Sequence, residues 1–547
     1  MVDNFKCSWQ NTAKLQRATR DSRLPKEWLL DLPPNASRKN VMAVPYECGI
    51  MTAKELEMTE KDAVELLSLL ASGSLTSYEL TLAFCKRAAI AQQLAFWFEE
   101  ALQRARELDA YYQSHGTVIG PFHGLPISVK NQFNVKDKEV YTGFVDWVGG
   151  IAKEDSPNVK FVREAGAILF CQTNAPQGLQ ALETVNNITG RTLNGFNLEL
   201  SPGGSSGGES ALVSFCGSPM GLAADGGGST RVPAACTGLV GMKCTSNRIP
   251  ATGSRAPMNG LDSTPYAFGP VCRSVRDNLY YIKSILQTEP WKQEPYLVPI
   301  PWREVSPKSP ITIGFFVDDG VAKPHPPVIS ALKRLVSRLE TQTGFRVIKW
   351  KPFEHSRGYE IYRRLIYPDG GDENDATMTR SGEPVLPLTE WITKPEIVGR
   401  LSIEKLWELN VARENYRQEY LTHWKEADKV PDVLICPVAP WAAARHDTSR
   451  YWGYSAIYNF LDYPACAVPT GIFVDPGNKE HARDTLYTPR ENEFDAYISG
   501  LYDEHGPEGY EGAPIGVQIV GRKWDDELVM DVAGRIEALI KEEPLVP

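Results

Sequence analysis

The chain is poor in cysteine pairs, basic runs and long apolar stretches. Its ten cysteines are scattered without a Cys-x-x-Cys spacing, which argues against a disulfide scaffold or a zinc site, and no metal is expected. Cys85, Cys171, Cys436 and Cys466 stand among apolar neighbours and read as buried thiols. Lysine and arginine form no run, and 58 basic against 68 acidic residues give a formal net charge of -10. Neither nucleic acid nor an anionic membrane is therefore expected as a partner. No segment reaches the roughly 18 uninterrupted apolar residues of a membrane span, and charges throughout the first turns of sequence leave no signal-peptide core. The location read from this is cytoplasmic.

What is present is enough apolar residue, 42% of 547, to bury a large core. Residues 1–55 mix charge with Pro33, Pro34 and Pro45 and read as an arm carrying one short helix before Trp28; residues 56–547 read as a single domain. An amphipathic helix is expected from Thr59, with Val64, Leu66, Leu67 and Leu70 on its face. A second, capped by Thr76 or Ser77, follows with Leu80, Phe84 and Ile90 inward. Beyond Gly120 short apolar runs alternate with helical patterns: PISV at 126–129, AILFC at 167–171, ESALVSF at 209–215, GLVGM at 238–242, ITIGFFV at 311–317, FRVIKW at 345–350, DVLIC at 432–436, ACAV at 465–468 and PIGVQIV at 514–520. ESALVSF reads as a helix and the rest as strands, so the expected class is α/β, built on a large mixed sheet.

Two loops rich in glycine and hydroxyls stand out, SPGGSSGGES (201–210) and DGGGSTR (225–231). A phosphate cradle would close on Gly-Lys followed by Ser or Thr, and no Gly-Lys pair occurs in the chain. A dinucleotide loop would follow a buried strand, which GFNLEL is not. Gly204-Ser205-Ser206-Gly207-Gly208 matches the Gly-x-Ser-x-Gly elbow with Ser206 as nucleophile, but no histidine stands at a strand end to serve it. A third chemistry dispenses with histidine: a lysine made neutral by burial takes the proton of a serine. Lys130 ends GLPISVK, where Ile127 and Val129 alternate, and so sits where a strand leaves the core. Taken alone it reads as a solvated strand-end lysine.

GLPISVKNQF, SPGGSSGGE and DGGGSTRVPA, in this order, resemble the amidase signature family, and within it the fungal acetamidase-type amidases. TNAPQ (173–177), ETVNN (183–187), GRTLN (190–194), GLVGMKCTSNRIP (238–250) and APIGVQIVGRKWDDEL (513–528) resemble its connecting segments. The resemblance implies a large twisted mixed sheet flanked by helices on both faces. It also implies a triad of Ser229 as nucleophile, Ser205 as a bridging serine in a cis peptide, and Lys130 as base. No cofactor is implied, and a homodimer is one candidate assembly. In that mechanism the N-H groups of Gly226, Gly227 and Gly228 converge with that of Ser229 on the oxyanion. Asp225 and Arg231, of opposite charge, read either as an ion pair bracing the loop or as a plain surface pair. Gly178 and Leu179, by likeness to fatty acid amide hydrolases, line the substrate channel.

The chain departs from the pattern in three places. Fungal amidases usually carry GTDIGGSIR at the nucleophile loop, whereas Ala223, Ala224, Gly226 and Thr230 stand here, which predicts a looser loop. Asn131 replaces a frequent Asp beside the lysine, removing a charge that would hold Lys130 protonated. Residues 90–105 are shorter than usual before the next helix, which predicts a disturbed sheet edge. The expected function is hydrolysis of a carboxamide to acid and ammonia or amine through an acyl-serine. An acyltransferase or amide synthase using the same acyl-serine is the alternative, and a silent binding protein the third reading.

Overall fold

The computed structural model describes residues 8–30, 38–91, 95–306 and 309–545. Among them the strands are, in chain order, β1 (Ala95–Phe96), β2 (Pro126–Lys130), β3 (Ile168–Thr173), β4 (Val185–Asn186), β5 (Gly190–Arg191), β6 (Met220–Asp225), β7 (Val240–Lys243), β8 (Ala267–Cys272), β9 (Ile311–Phe315), β10 (Phe345–Lys349), β11 (Val433–Pro437), β12 (Ala465–Phe473) and β13 (Pro514–Val520). β4 and β5 form a small hairpin; the others form one 11-stranded sheet in the order β1-β3-β2-β6-β8-β7-β12-β13-β11-β9-β10. β2 runs parallel to β3 and β6, and β9 parallel to β10 and β11. The central pairs from β6 through β8, β7, β12 and β13 to β11 are antiparallel.

Period-two alternation divides the core between the two faces of this sheet. Ile127, Val129, Leu222, Ala224, Val517 and Ile519 point into one apolar layer, with residues of the helices Ser77–Ala91, Val275–Gln287 and Asp526–Glu542. Ala223, Leu434, Cys436, Ala465 and Ala467 point into the other, against the helices His355–Leu365, Ile403–Lys425 and Gly453–Phe460. The same alternation sends Ser128 and Lys130 of β2, and Asp225 of β6, away from the first layer. Helices thus cover both faces, and the polar residues of the two signature loops meet on the second.

Several elements differ from expectation for local reasons. The helix expected from Thr59 is two, Ala53–Glu60 and Ala63–Ala71, because Thr52 and Asp62 each cap a separate start. The first of them runs across residue 55, where the arm is expected to end. Thr76 Oγ1 accepts the Glu79 N-H at 3.1 Å and caps the helix Ser77–Ala91. Within the arm the helix Trp9–Ser22 is 14 residues long; its Arg17 donates to the Ile188 carbonyl at 2.7 Å. Pro33 and Pro34 lie outside the described residues, as do Gln92, Gln93 and Leu94. The edge expected to be disturbed carries the two-residue β1 paired antiparallel with β3. Cys85, Cys171, Cys436 and Cys466 are buried free thiols. No helix among the described residues is long and apolar enough to cross a membrane.

Candidate active site

Lys130 is the last residue of β2 and is fully buried. Its Nζ lies 2.7 Å from Ser205 Oγ, and the peptide joining Gly204 to Ser205 is cis. Gly204 has no room for a side chain, since a Cβ there would stand 2.6 Å from both the N and the O of Glu183. Burial pulls the Lys130 amine from 10.5 down to about 7, with Asp225 and Glu209 resisting the fall. The lysine that reads as solvated when taken alone is therefore a desolvated amine bonded to one hydroxyl.

Glu209, in the first turn of the helix Gly207–Ser214, is equally buried. Its carboxylate accepts from Ser128 Oγ at 2.5 Å and from Thr173 Oγ1 at 2.6 Å. Ser128 precedes Lys130 on the same strand face, and Thr173 is the register partner of Lys130 in β3, so the carboxyl is fixed beside the amine. Burial pushes it up to about 8, against the two hydroxyl bonds and the Lys130 charge. The signature loop contains Glu209, yet its role is visible only once the strand register is known.

The loop 225–231 is built around Asp225, the last residue of β6. Asp225 and Arg231 have fully buried side chains and pair at 2.9 Å, so they brace the loop rather than decorate the surface. The carboxylate also accepts the N-H groups of Gly228 (2.8 Å), Thr230 (3.2 Å) and Arg231 (3.2 Å). Asn459 donates to it at 3.0 Å and accepts from Arg231 at 2.6 Å. Burial alone would raise this carboxyl, but Arg231, Asn459 and Lys243 hold it well below the usual carboxylate range. Tyr362 donates to the Gly226 carbonyl at 3.0 Å and Ser455 to the Gly227 carbonyl at 2.7 Å. The loop expected to be loose is thus tied at both carbonyls and by one carboxylate.

These ties sort the three glycines. Gly228 has φ +124°, and a Cβ there would collide with Ser455 Oγ; only glycine takes that conformation without strain. A Cβ on Gly227 would stand 2.5 Å from the Tyr362 hydroxyl, whereas one on Gly226 would meet only Tyr266 Cβ at 3.5 Å. The expectation that Gly228 supplies an oxyanion donor is corrected here, because its N-H is taken by Asp225 Oδ1. The N-H groups of Gly226, Gly227 and Ser229 have no acceptor among the described residues.

A cavity of about 160 Å³ brings together Lys130, Ser205, Ser229, Gly226, Gly227, Gly178 and Leu179. Gln132, Met258, Tyr266, Tyr362, Tyr367 and Trp452 complete most of its wall. Ser206 is fully buried and bonded to the Ala224 carbonyl, outside the cavity, so the elbow reading has no accessible nucleophile. Ser229 is half-buried, and its hydroxyl is unbonded among the described residues. No histidine lines the cavity. Asn131, expected to matter through a missing charge, holds the N-H groups of Tyr141 and Thr142 at 3.0 and 2.8 Å. Thr142 in turn accepts the Gly178 N-H at 3.0 Å, so Asn131 acts on the cavity wall at Gly178. No cluster of metal-ligating side chains occurs among the described residues. A larger groove of about 1000 Å³ beside the helix Pro326–Glu340 contains none of these groups. Its Lys323, Arg334 and Arg483 pair with Asp484, Glu480 and Asp503.

Known proteins resemble this chain along most of its length. The family model described as Amidase matches residues 79–530. An acetamidase of Emericella nidulans is 38% identical over 550 residues, covering 97% of this chain and 98% of its own. An acetamidase of Aspergillus oryzae is 36% identical, covering 97% and 99%. The solved structure of a fatty acid amide hydrolase superposes with a TM-score of 0.92 at 30% identity, covering 98% of this chain and 97% of that one.

Proposed function

We propose a function on one premise: this chain belongs to the amidase family. The reading is hydrolysis of a carboxamide to a carboxylic acid and ammonia or amine, with Ser229 as nucleophile. Neutral Lys130 accepts the proton of Ser205 while Ser205 accepts that of Ser229, and Ser229 Oγ attacks the carboxamide carbon. The N-H groups of Gly226, Gly227 and Ser229 are the donors offered to the oxyanion, and each such donor contributes about 3 to 4 kcal/mol in transition states of this kind. The relay then reverses, the nitrogen leaves protonated, and water cleaves the acyl-serine by the same route.

The observation that carries this reading is the buried Lys130 amine, drawn down to about 7 and 2.7 Å from Ser205 Oγ. A base near the operating pH is what proton abstraction requires. The Ser229 hydroxyl closes the relay by rotating toward Ser205 as substrate enters, because catalytic hydrogen bonds tighten in the substrate complex.

The size and lining of the cavity support a small substrate. At about 160 Å³ it lies below the roughly 300 Å³ at which pockets for drug-sized ligands begin. Lys130 is its one ionisable side chain besides tyrosines, so the acyl group it fits is small and neutral. Ammonia release from acetamide, benzamide, hexadecanamide and a dipeptide amide tests both points. Turnover of acetamide, weaker or no turnover of hexadecanamide, and loss of both in Ser229→Ala support the reading; turnover that survives Ser229→Ala ends it.

A further inference from the structure

Gln132 lies two residues beyond Lys130, and its backbone is held on both sides. Its N-H donates to the Lys130 carbonyl at 2.6 Å, and its carbonyl accepts the Arg255 N-H at 2.8 Å. The side chain is 4% exposed and forms part of the cavity wall with Lys130, Ser205 and Ser229. Its carboxamide has no hydrogen-bond partner among the described residues; Oε1 is turned away from solvent, and a half-turn of the amide, which exchanges its oxygen and nitrogen, brings the acceptor to the cavity.

Two neighbouring carboxamides are fully engaged. Asn131 is bonded to Glu139, Tyr141 and Thr142, and Gln177 to Glu383, Pro384 and Leu386. Gln180 and Asn374 also lack partners, as does Gln172 Nε2, but all three stand outside the cavity wall. A buried amide that forgoes its hydrogen bonds is unfavourable, and an orphan of this kind in the wall of a site calls for a ligand group.

Resting on the amidase reading, we propose that the Gln132 carboxamide oxygen accepts a hydrogen bond from the reacting nitrogen of the substrate and gives the site its preference for amides over esters. When the amide collapses, its nitrogen must turn its lone pair toward Ser205, and its N-H groups must point elsewhere. An acceptor beside Lys130 takes one of them and fixes that orientation. The leaving oxygen of an ester has no hydrogen to give, so with an ester bound Gln132 stays unpaired. Sites built to bond a substrate N-H reject analogues that lack it for this reason.

The test compares propionamide with methyl propionate on the full-length protein, using Gln132→Met, which keeps the length and removes the polar atoms. The kcat/KM for the amide is expected to fall about ten-fold or more while that for the ester changes by less than about two-fold, so the amide-to-ester ratio drops with the amide. Ester turnover also reports that the variant is folded, and Gln132→Leu, read by the same ratio, replaces it if the methionine variant does not fold. Equal losses on both compounds, or an unchanged ratio, overturn the assignment. Wild-type protein that turns over neither compound sinks the amidase reading itself, whereas an active wild type whose ratio survives substitution sinks only the role of Gln132.

Discussion

Replacing Lys130 by methionine is expected to abolish turnover and to make the protein more stable. The displacement of the amine from 10.5 to about 7 corresponds to about 5 kcal/mol at the exchange of 1.36 kcal/mol per pH unit. Because the folded chain binds this proton more weakly than the unfolded chain, the unfolded state carries the extra proton between pH 7 and 10.5. Wild-type stability therefore climbs with pH through that window, and the full penalty is present below it. Methionine removes the penalty and loses the bond to Ser205, about 1 kcal/mol. The net gain is about 3 to 4 kcal/mol at pH 6, shrinking by about 1.4 kcal/mol per pH unit above 7. Urea unfolding of both proteins at pH 6, 8 and 10 measures it. A difference independent of pH, or a variant less stable at pH 6, refutes the claim that burial holds this amine neutral.

Three further outcomes follow from the same geometry. The kcat/KM for a small amide is expected to fall below about pH 7 as Lys130 takes up its proton; a rate that stays flat from pH 5 to 8 contradicts this. Asp225→Asn strands the buried Arg231 guanidinium and is expected to cost about 3 to 5 kcal/mol in urea unfolding; a loss under 1 kcal/mol would place the brace elsewhere. Gly228→Ala is expected to cost about 1 to 3 kcal/mol and most of the activity, whereas Gly226→Ala, with its Cβ in ordinary contact, should retain wild-type stability; equal effects would contradict the sorting of the glycines.

The sheet was legible where strands carry branched residues, as in PISVK and ITIGF, and much less so elsewhere. β6 (MGLAAD) and β8 (AFGPVC) escape the sequence reading because glycine, alanine and Pro270 have little preference for strands; partners on both sides, not propensity, make them strands. β6 matters most, since it delivers Asp225 to the nucleophile loop. In the site, Ser205, Ser229 and the Asp225 and Arg231 pair lie in two glycine-rich loops and Lys130 ends GLPISVK; the resemblance of these motifs to the amidase signature, not their residues alone, is what singles out Lys130, Ser205 and Ser229. Tyr362, Ser455 and Asn459 could not be named from sequence, because they reach the loop from helices more than a hundred residues downstream and carry no local pattern. Gln132 lay within GLPISVKNQF all along, but only the absence of a partner for its amide marks it.

Ser229, the proposed nucleophile, offers the most direct measurement. A fluorophosphonate reacted with the full-length protein and mapped by peptide mass spectrometry is expected to leave one adduct, on Ser229, that forms more slowly below pH 7 and is absent in Ser229→Ala. An adduct on Ser205 or Ser206, or one that persists in that variant, contradicts the account.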